Sequence, residues 1–265
     1  MTEQDAVAEA RRLVAAAEGR GVTLRLLGGI AFRLRSPSSL SANLSRHYVD
    51  IDFIGLRNQR KHIQNMFTDL GYQPRTTFNA MNGHTRLIFN DIERERRVDI
   101  FLNVFEMCHK FDFTNRLTID KTTLPLADLL LTKLQVYEIT EREYRDVIAF
   151  LKDNQLGDRD GPDTINQSYI SKLCSDDWGL YRTVTLNLDR ISKSLSGYLN
   201  NLDEQALVDA KINDLRKTLE EHEKSFSWKL RAKVGEKVKW YQLPEADREV
   251  VDSRPGVERL NAELK

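Results

Sequence analysis

Val49-Asp50-Ile51-Asp52-Phe53-Ile54-Gly55 sets two carboxylates one residue apart inside an apolar, β-like run that ends in glycine. Successive side chains of a strand point to opposite faces, so Asp50 and Asp52 project from the same side, next to each other. Asp is depleted in strands, and like charges in contact are unfavourable. The pair therefore predicts a neutralising cation, most plausibly magnesium held by carboxylates and a nucleotide's phosphates. That is the chemistry of phosphoryl or nucleotidyl transfer.

On the N-terminal side, Ala6 to Glu18 has apolar positions at helical spacing, and Val22, Leu24 and Leu26 alternate with polar residues. This predicts a helix, then a strand from Val22 to Leu27 that ends at Gly28-Gly29, then a helix from about Ile30 to Leu34. Ser36 to Ser45, rich in Ser and carrying Pro37, reads as a loop leading to the Asp50 strand. On the C-terminal side, Gln59 to Leu70 is amphipathic and stops at Gly71, while Thr76–Asn79, Thr85–Asn90 and Arg97–Asn103 read as strands with polar turns between them. A helical stretch runs from Pro125 through Lys133 to Phe150, with a break near Thr140, and the polar segment Asp153 to Asp163 is the candidate domain boundary.

Leu180–Leu199, Glu204–Glu223 and Phe226–Tyr241 show helical periodicity, and the charged tail Pro244–Lys265 is expected to be partly unpacked or to lie against the surface. The expected fold is thus α+β: a mixed β-sheet domain flanked by helices over residues 1–155, then a helical C-terminal region with a polar tail over 156–265.

With 265 residues the chain is long enough to bury a true core in one large domain or two modest ones. Its 40 basic and 40 acidic residues cancel, so any polyanion contact must be regional. Cys108 and Cys174 lie far apart without metal-type spacing, as do the five histidines, which argues against structural zinc and for reduced thiols. The N-terminus lacks a secretory pattern and no apolar run approaches a membrane span, so a cytoplasmic protein with no membrane partner is expected.

Asp99, in Arg97-Val98-Asp99-Ile100-Phe101-Leu102, is a third acid in an apolar strand. If that strand lies beside the one holding Asp50 and Asp52, three carboxylates converge where two divalent ions fit. Gly28-Gly29, at a strand-to-helix turn, lets backbone N–H groups approach a triphosphate with no Cβ in the way. Each feature also has a plainer reading: a solvent-facing edge strand for the Asp pair, an ion pair with Arg97 for Asp99, and a tight turn for the glycines.

The order glycine pair, Asp-x-Asp strand, later single Asp resembles the nucleotidyltransferase superfamily related to DNA polymerase β. Within it the chain looks most like the AbiEii-type toxins of bacterial type IV toxin-antitoxin systems. Leu27-Gly28-Gly29-Ile30-Ala31 is similar to their Leu-Gly-Gly-x-Ala start. Arg46-His47-Tyr48-Val49-Asp50-Ile51-Asp52 is similar to Arg-x-Thr-x-Asp-Ile-Asp, with Tyr48 in place of the hydroxyl residue. Asp128 to Lys133 resembles their Leu-Leu-Ala-x-Lys helix, and Arg145-Asp146-Val147-Ile148 their Arg/Lys-Asp-Leu segment.

The resemblance covers residues 22 to about 150, with a longer spacing from Gly29 to Asp50 than the family usually shows, so the Ser-rich loop is either an insertion or a flexible flap over the nucleotide. It implies an enzyme that moves a nucleoside monophosphate from an NTP to a hydroxyl acceptor, RNA or tRNA by analogy, with Mg2+, or Mn2+ in its place, and a cognate antitoxin protein as partner. By the same resemblance Asp50, Asp52 and Asp99 hold the metal, Gly28, Gly29, Arg46 and Lys133 bind the nucleotide, and Asp146 is a further polar active-site residue. Asp99 would also help deprotonate the acceptor. From the residues alone, Lys133 is equally a solvated helix residue, Asp146 an i,i+4 partner of Arg142, and Arg46 a phosphate ligand or an ion-pair partner of Asp50.

Two rivals stand beside this reading: a small-molecule, antibiotic-type nucleotidyltransferase, and a catalytically idle nucleotide- or partner-binding module. One segment outside the core, Lys224–Tyr241, interleaves six basic residues with Trp228, Trp240 and Tyr241. It suits either nucleic-acid contact or an amphipathic helix whose apolar face packs on the domain while its lysines face water.

Overall fold

A computed structural model describes residues 2–243; the tail expectation for Pro244–Lys265 lies outside the described residues. The chain runs α1 (Ala6–Gly19), β1 (Leu24–Leu27), α2 (Gly28–Arg35), a 3₁₀ turn (Pro37–Leu40), β2 (Ile51–Gly55), α3 (Arg60–Asp69), β3 (Gln73–Pro74), α4 (Thr76–Asn82), β4 (Arg86–Asp91) and β5 (Arg96–Leu102). There follow β6 (Val104–Glu106), β7 (Lys110–Asp112), α5 (Leu126–Leu134), α6 (Glu141–Asp153), β8 (Gln155–Gly157), β9 (Thr164–Asn166), α7 (Gln167–Asp176), α8 (Trp178–Ser194), α9 (Leu202–Glu221) and α10 (Phe226–Val234). The fold is α+β, as expected, with a helical C-terminal half.

The central sheet has five strands in the order β1-β2-β5-β4-β3. β1 pairs antiparallel with β2, β2 parallel with β5, and β4 antiparallel with β5. Alternation along the strands divides its two faces. Phe53, Val98, Ile100, Leu102, Leu87 and Phe89 share one face by register and are buried, and Phe67 of α3 packs its ring against Phe53, Tyr72 and Phe89. Asp52, Asp99, Phe101 and Arg86 fall on the other face. A one-residue slip of register would exchange these two sets, so the apolar face locks the polar one in place.

The apolar cluster continues from the sheet into the C-terminal helices without interruption, through α5, α6, α7, α8 and α9. The Asp153–Asp163 segment is tied by the β8–β9 pair. Lys211 of α9 is buried and donates to the carbonyls of Leu151 and Asn154, satisfying the end of α6 from outside.

Four expectations change. Thr76–Asn79 is helical, the start of α4, and the Asn79 side-chain amide donates to the Ile88 carbonyl and accepts from the Ile88 N–H, taking the place of a neighbouring strand at the edge of β4. α7 was not anticipated, because only Ile170, Leu173 and Cys174 mark its apolar side. The helix expected over Phe226–Tyr241 ends at Val234, where Gly235 takes φ 58°. The Ser36–Ser45 loop is no free flap: Ser38 donates through N and Oγ to Asp153 at 2.7 and 2.5 Å, and Arg145 donates to the carbonyls of Asn43 and Ser45.

Candidate active site

The site is assembled where β1 turns into α2. Leu27 is paired with Asp52, and Gly28 follows with φ +67°, a conformation that residues with a Cβ adopt at a penalty. A Cβ at Gly28 would lie 2.1 Å from Asp52 Oδ2, and one at Gly29 would lie 2.0 Å from Arg46 Nη2. The diglycine backbone is therefore pressed between a carboxylate and a guanidinium. No side chain caps α2, whose first N–H groups open on this turn.

Arg46 grips Asp146 through Nε and Nη2 at 2.8 Å each and stacks over Tyr48, 4.4 Å from the ring centroid. Lys133 lies 3.0 Å from the same carboxylate and 3.3 Å from Glu143. Burial disfavours its charge, but the Asp146 and Glu143 carboxylates outweigh this and hold its pKa above the ordinary lysine value. Asp146, from the middle of α6, is buried and so aligns one cation from the Ser-rich loop's end and one from α5. Gly28, Gly29, Arg46, His47, Tyr48, Val49, Asp50, Asp52, Lys133, Arg142 and Glu143 line a cleft of about 170 Å³.

Asp52 and Asp99 are register partners on parallel neighbours, and Asp50 enters the same cleft just ahead of β2. Burial, reinforced by the negative charges of Asp99 and Asp50 and opposed by Lys133 and Arg97, pushes the Asp52 pKa up to about 7. Such crowding of negative charge is what a hard divalent ion relieves. Asp50 and Asp52 line one cleft and are the residues that could hold a magnesium ion, which commonly uses one or two carboxylates and completes its shell with phosphate oxygens and water.

Asp50, Asp52 and Asp99 lie near enough to act on one another's charge, but Asp99 is taken by arginines and does not line the cleft. Asp99 is 1% exposed, and Arg86 takes both of its oxygens at 2.6 Å while Arg97 lies 3.2 Å away. No group of three His, Cys, Asp or Glu side chains able to hold a metal ion occurs among the described residues. The physical reason is the hairpin register, which places Arg86 on the same face as Asp99 and one diagonal step from it.

Two further sequence readings are redirected. Asp146 pairs with Arg46 and Lys133 rather than with Arg142, and Arg46 reaches Asp146 rather than Asp50. Arg86 and Glu143 were not anticipated: the first depends on register and the second on the α5–α6 turn. The Arg97–Asp99 pair was legible, since residues two apart in a strand share a face.

Trp228, Trp240 and Tyr241 of the segment Lys224–Tyr241 are engaged within the protein. Trp228 packs on Tyr181, Trp240 on Trp178 and Tyr137, and Tyr241 stacks on Tyr137 at 3.7 Å. Lys224 donates to the Glu220 and His222 carbonyls at the end of α9. Phe226, Leu230 and Val234 of α10 stay exposed, so the segment is held by the Trp228, Trp240 and Tyr241 rings and not by a packed apolar helix face.

No family model matches the chain, and no curated protein matches it. Among solved structures, part of the chain is similar to the lincosamide antibiotic adenylyltransferase LnuA with lincomycin bound. The identity is 18%, 52% of this chain and 92% of that chain are covered, and the TM-score is 0.39. So distant an overlap bears on neither substrate nor mechanism. No helix among the described residues is long and apolar enough to cross a membrane.

Proposed function

We propose that this protein is a nucleotidyltransferase that moves a nucleoside monophosphate from an NTP to a hydroxyl on an acceptor. The observation that carries the reading is the diglycine turn held against Asp52, with Asp99 beside it in register and the Lys133 and Arg46 cations across the same cleft. A bare backbone, an uncapped helix start and two nearby cations suit a triphosphate. Adjacent carboxylates suit the ion that accompanies it.

When bound on Asp50 and Asp52, magnesium or manganese would supply charge neutralisation on the phosphates. The residues do the rest. Gly28 and Gly29 allow the phosphates close to the turn, Lys133 offsets charge that develops on the departing pyrophosphate, and Asp146 keeps Lys133 and Arg46 aligned. The acceptor oxygen bonds to the α-phosphorus, the bond from that phosphorus to the oxygen bridging to the β-phosphate breaks, pyrophosphate leaves, and the acceptor proton passes to solvent. Asp99, locked between Arg86 and Arg97, organises the acceptor side of the sheet rather than taking that proton.

RNA, tRNA included, is the acceptor class, and a toxin of the AbiEii type with an antitoxin partner, acting in the cytoplasm, is the biological setting this reading implies. Incubation with each of four α-labelled NTPs, magnesium and total cellular RNA, resolved on a gel, tests it. Label on RNA that disappears with Asp52→Asn is the expected result. Label transferred by the Asp52→Asn variant as well as by wild type refutes the reaction, and label on a small molecule instead of RNA refutes the acceptor.

A further inference from the structure

The sheet face that carries Asp52 does not end at Asp99. Arg86 leaves Asp99 in two directions: its guanidinium lies 5.0 Å from the Phe101 ring centroid and 5.8 Å from that of Phe78. Arg75 reaches the Phe78 ring as well, at 5.8 Å. Arg97 also lies on the Asp99 carboxylate, and from that buried acid a row of guanidinium and half-buried ring runs outward through Arg86, Phe101, Phe78 and Arg75. α4, which carries Phe78, is fastened by the paired Asn79–Ile88 hydrogen bonds, and Arg75 itself donates from its backbone to the Ile88 carbonyl, so the ledge is rigid.

Its place in the sheet gives the ledge its meaning. β5 adjoins β2, and β4 is the next strand out, so the ledge begins one strand from Asp52, about 5 Å, and spans to about 10 Å. It extends on the side away from the diglycine turn, where an acceptor approaches if the NTP lies along that turn. Guanidiniums bind phosphate oxygens, and half-exposed aromatic faces stack on bases. The same guanidiniums repel a cationic aminosugar. Resting on the nucleotidyl-transfer reading, we propose that Arg75, Phe78, Arg86 and Arg97 form an acceptor subsite that takes the end of a single-stranded polynucleotide, with phosphates on the arginines and a base against Phe78.

The test uses the full chain and a short fluorescein-labelled single-stranded RNA followed by anisotropy across a salt series, with a fluorescent NTP and magnesium titrated separately. Phe78→Ala and Arg75→Ala should each weaken RNA binding roughly tenfold. Arg75→Ala should also flatten the slope of log affinity against log salt by about 0.7. Both should leave NTP affinity within about twofold of wild type. Arg86→Ala also frees Asp99, so a melting curve accompanies it, and the two cleaner variants decide. RNA affinity unchanged in Phe78→Ala and Arg75→Ala overturns the subsite. A wild-type chain that binds RNA through these residues but no NTP overturns the nucleotidyl-transfer reading instead, so the two failures are distinct.

Discussion

Gly28→Ala separates the two demands placed on the diglycine turn. At φ +67° an L-residue is strained by roughly 1–2 kcal/mol, which corresponds to a fall in Tm of about 2–8 °C in a chain of this size. The added methyl also meets Asp52 Oδ2 at 2.1 Å, so the carboxylate must retreat by roughly an ångström. A displacement of that order at reacting groups lowers rates by about 10²-fold. Gly21→Ala supplies the control, because Gly21 has φ +68° and nothing within 4 Å of the place its methyl would take. Gly21→Ala should lose a few degrees in a thermal melt and Gly28→Ala at least as many, while only Gly28→Ala should lose transfer of label from an α-labelled NTP. If the two variants retain equal activity, the argument that Gly28 exists to bring Asp52 against the backbone is wrong.

Asp146→Ala leaves Lys133 and Arg46 without their shared buried carboxylate and should destabilise the fold by about 3–5 kcal/mol in urea denaturation; Asp146→Asn, which keeps the shape, should do less damage. Asn79→Ala strips two hydrogen bonds from the Ile88 backbone and should remove about 2–4 kcal/mol, with hydrogen exchange at Ile88 rising first. His109 is buried against Thr183, and burial lowers its pKa from 6.5. The unfolded chain then takes up the proton at a higher pH than the folded one, so stability should be fullest above pH 6.5 and fall below it. His109→Gln should flatten that slope in denaturant titrations, and an unchanged slope would show that His109 is not its source.

The alternation in β2, the glycines after β1 and the amphipathic stretches of α1, α3 and α6 were all legible, since each depends only on neighbours in the chain. The conversion of Thr76–Asn79 from expected strand to helix was not. Thr-Thr-Phe has strand character, and only the Ile88 edge, nine residues on, gives the Asn79 amide a reason to sit where it does. The three aspartates stand out in the sequence by their apolar strands, but the company Asp99 keeps does not. Arg86 lies 13 positions away, and nothing local says which residue of the hairpin will lie opposite.

The chain alone thus determined which residue types bear the chemistry and which faces of the strands they occupy, because side-chain alternation is a property of the backbone. Only the tertiary structure decided their state of charge and company: that Asp52 is crowded by Asp99 and Asp50, that Asp99 is held by two guanidiniums, and that Asp146 binds Arg46 and Lys133. Electrostatic pairing depends on distance through space, and strand register sets that distance.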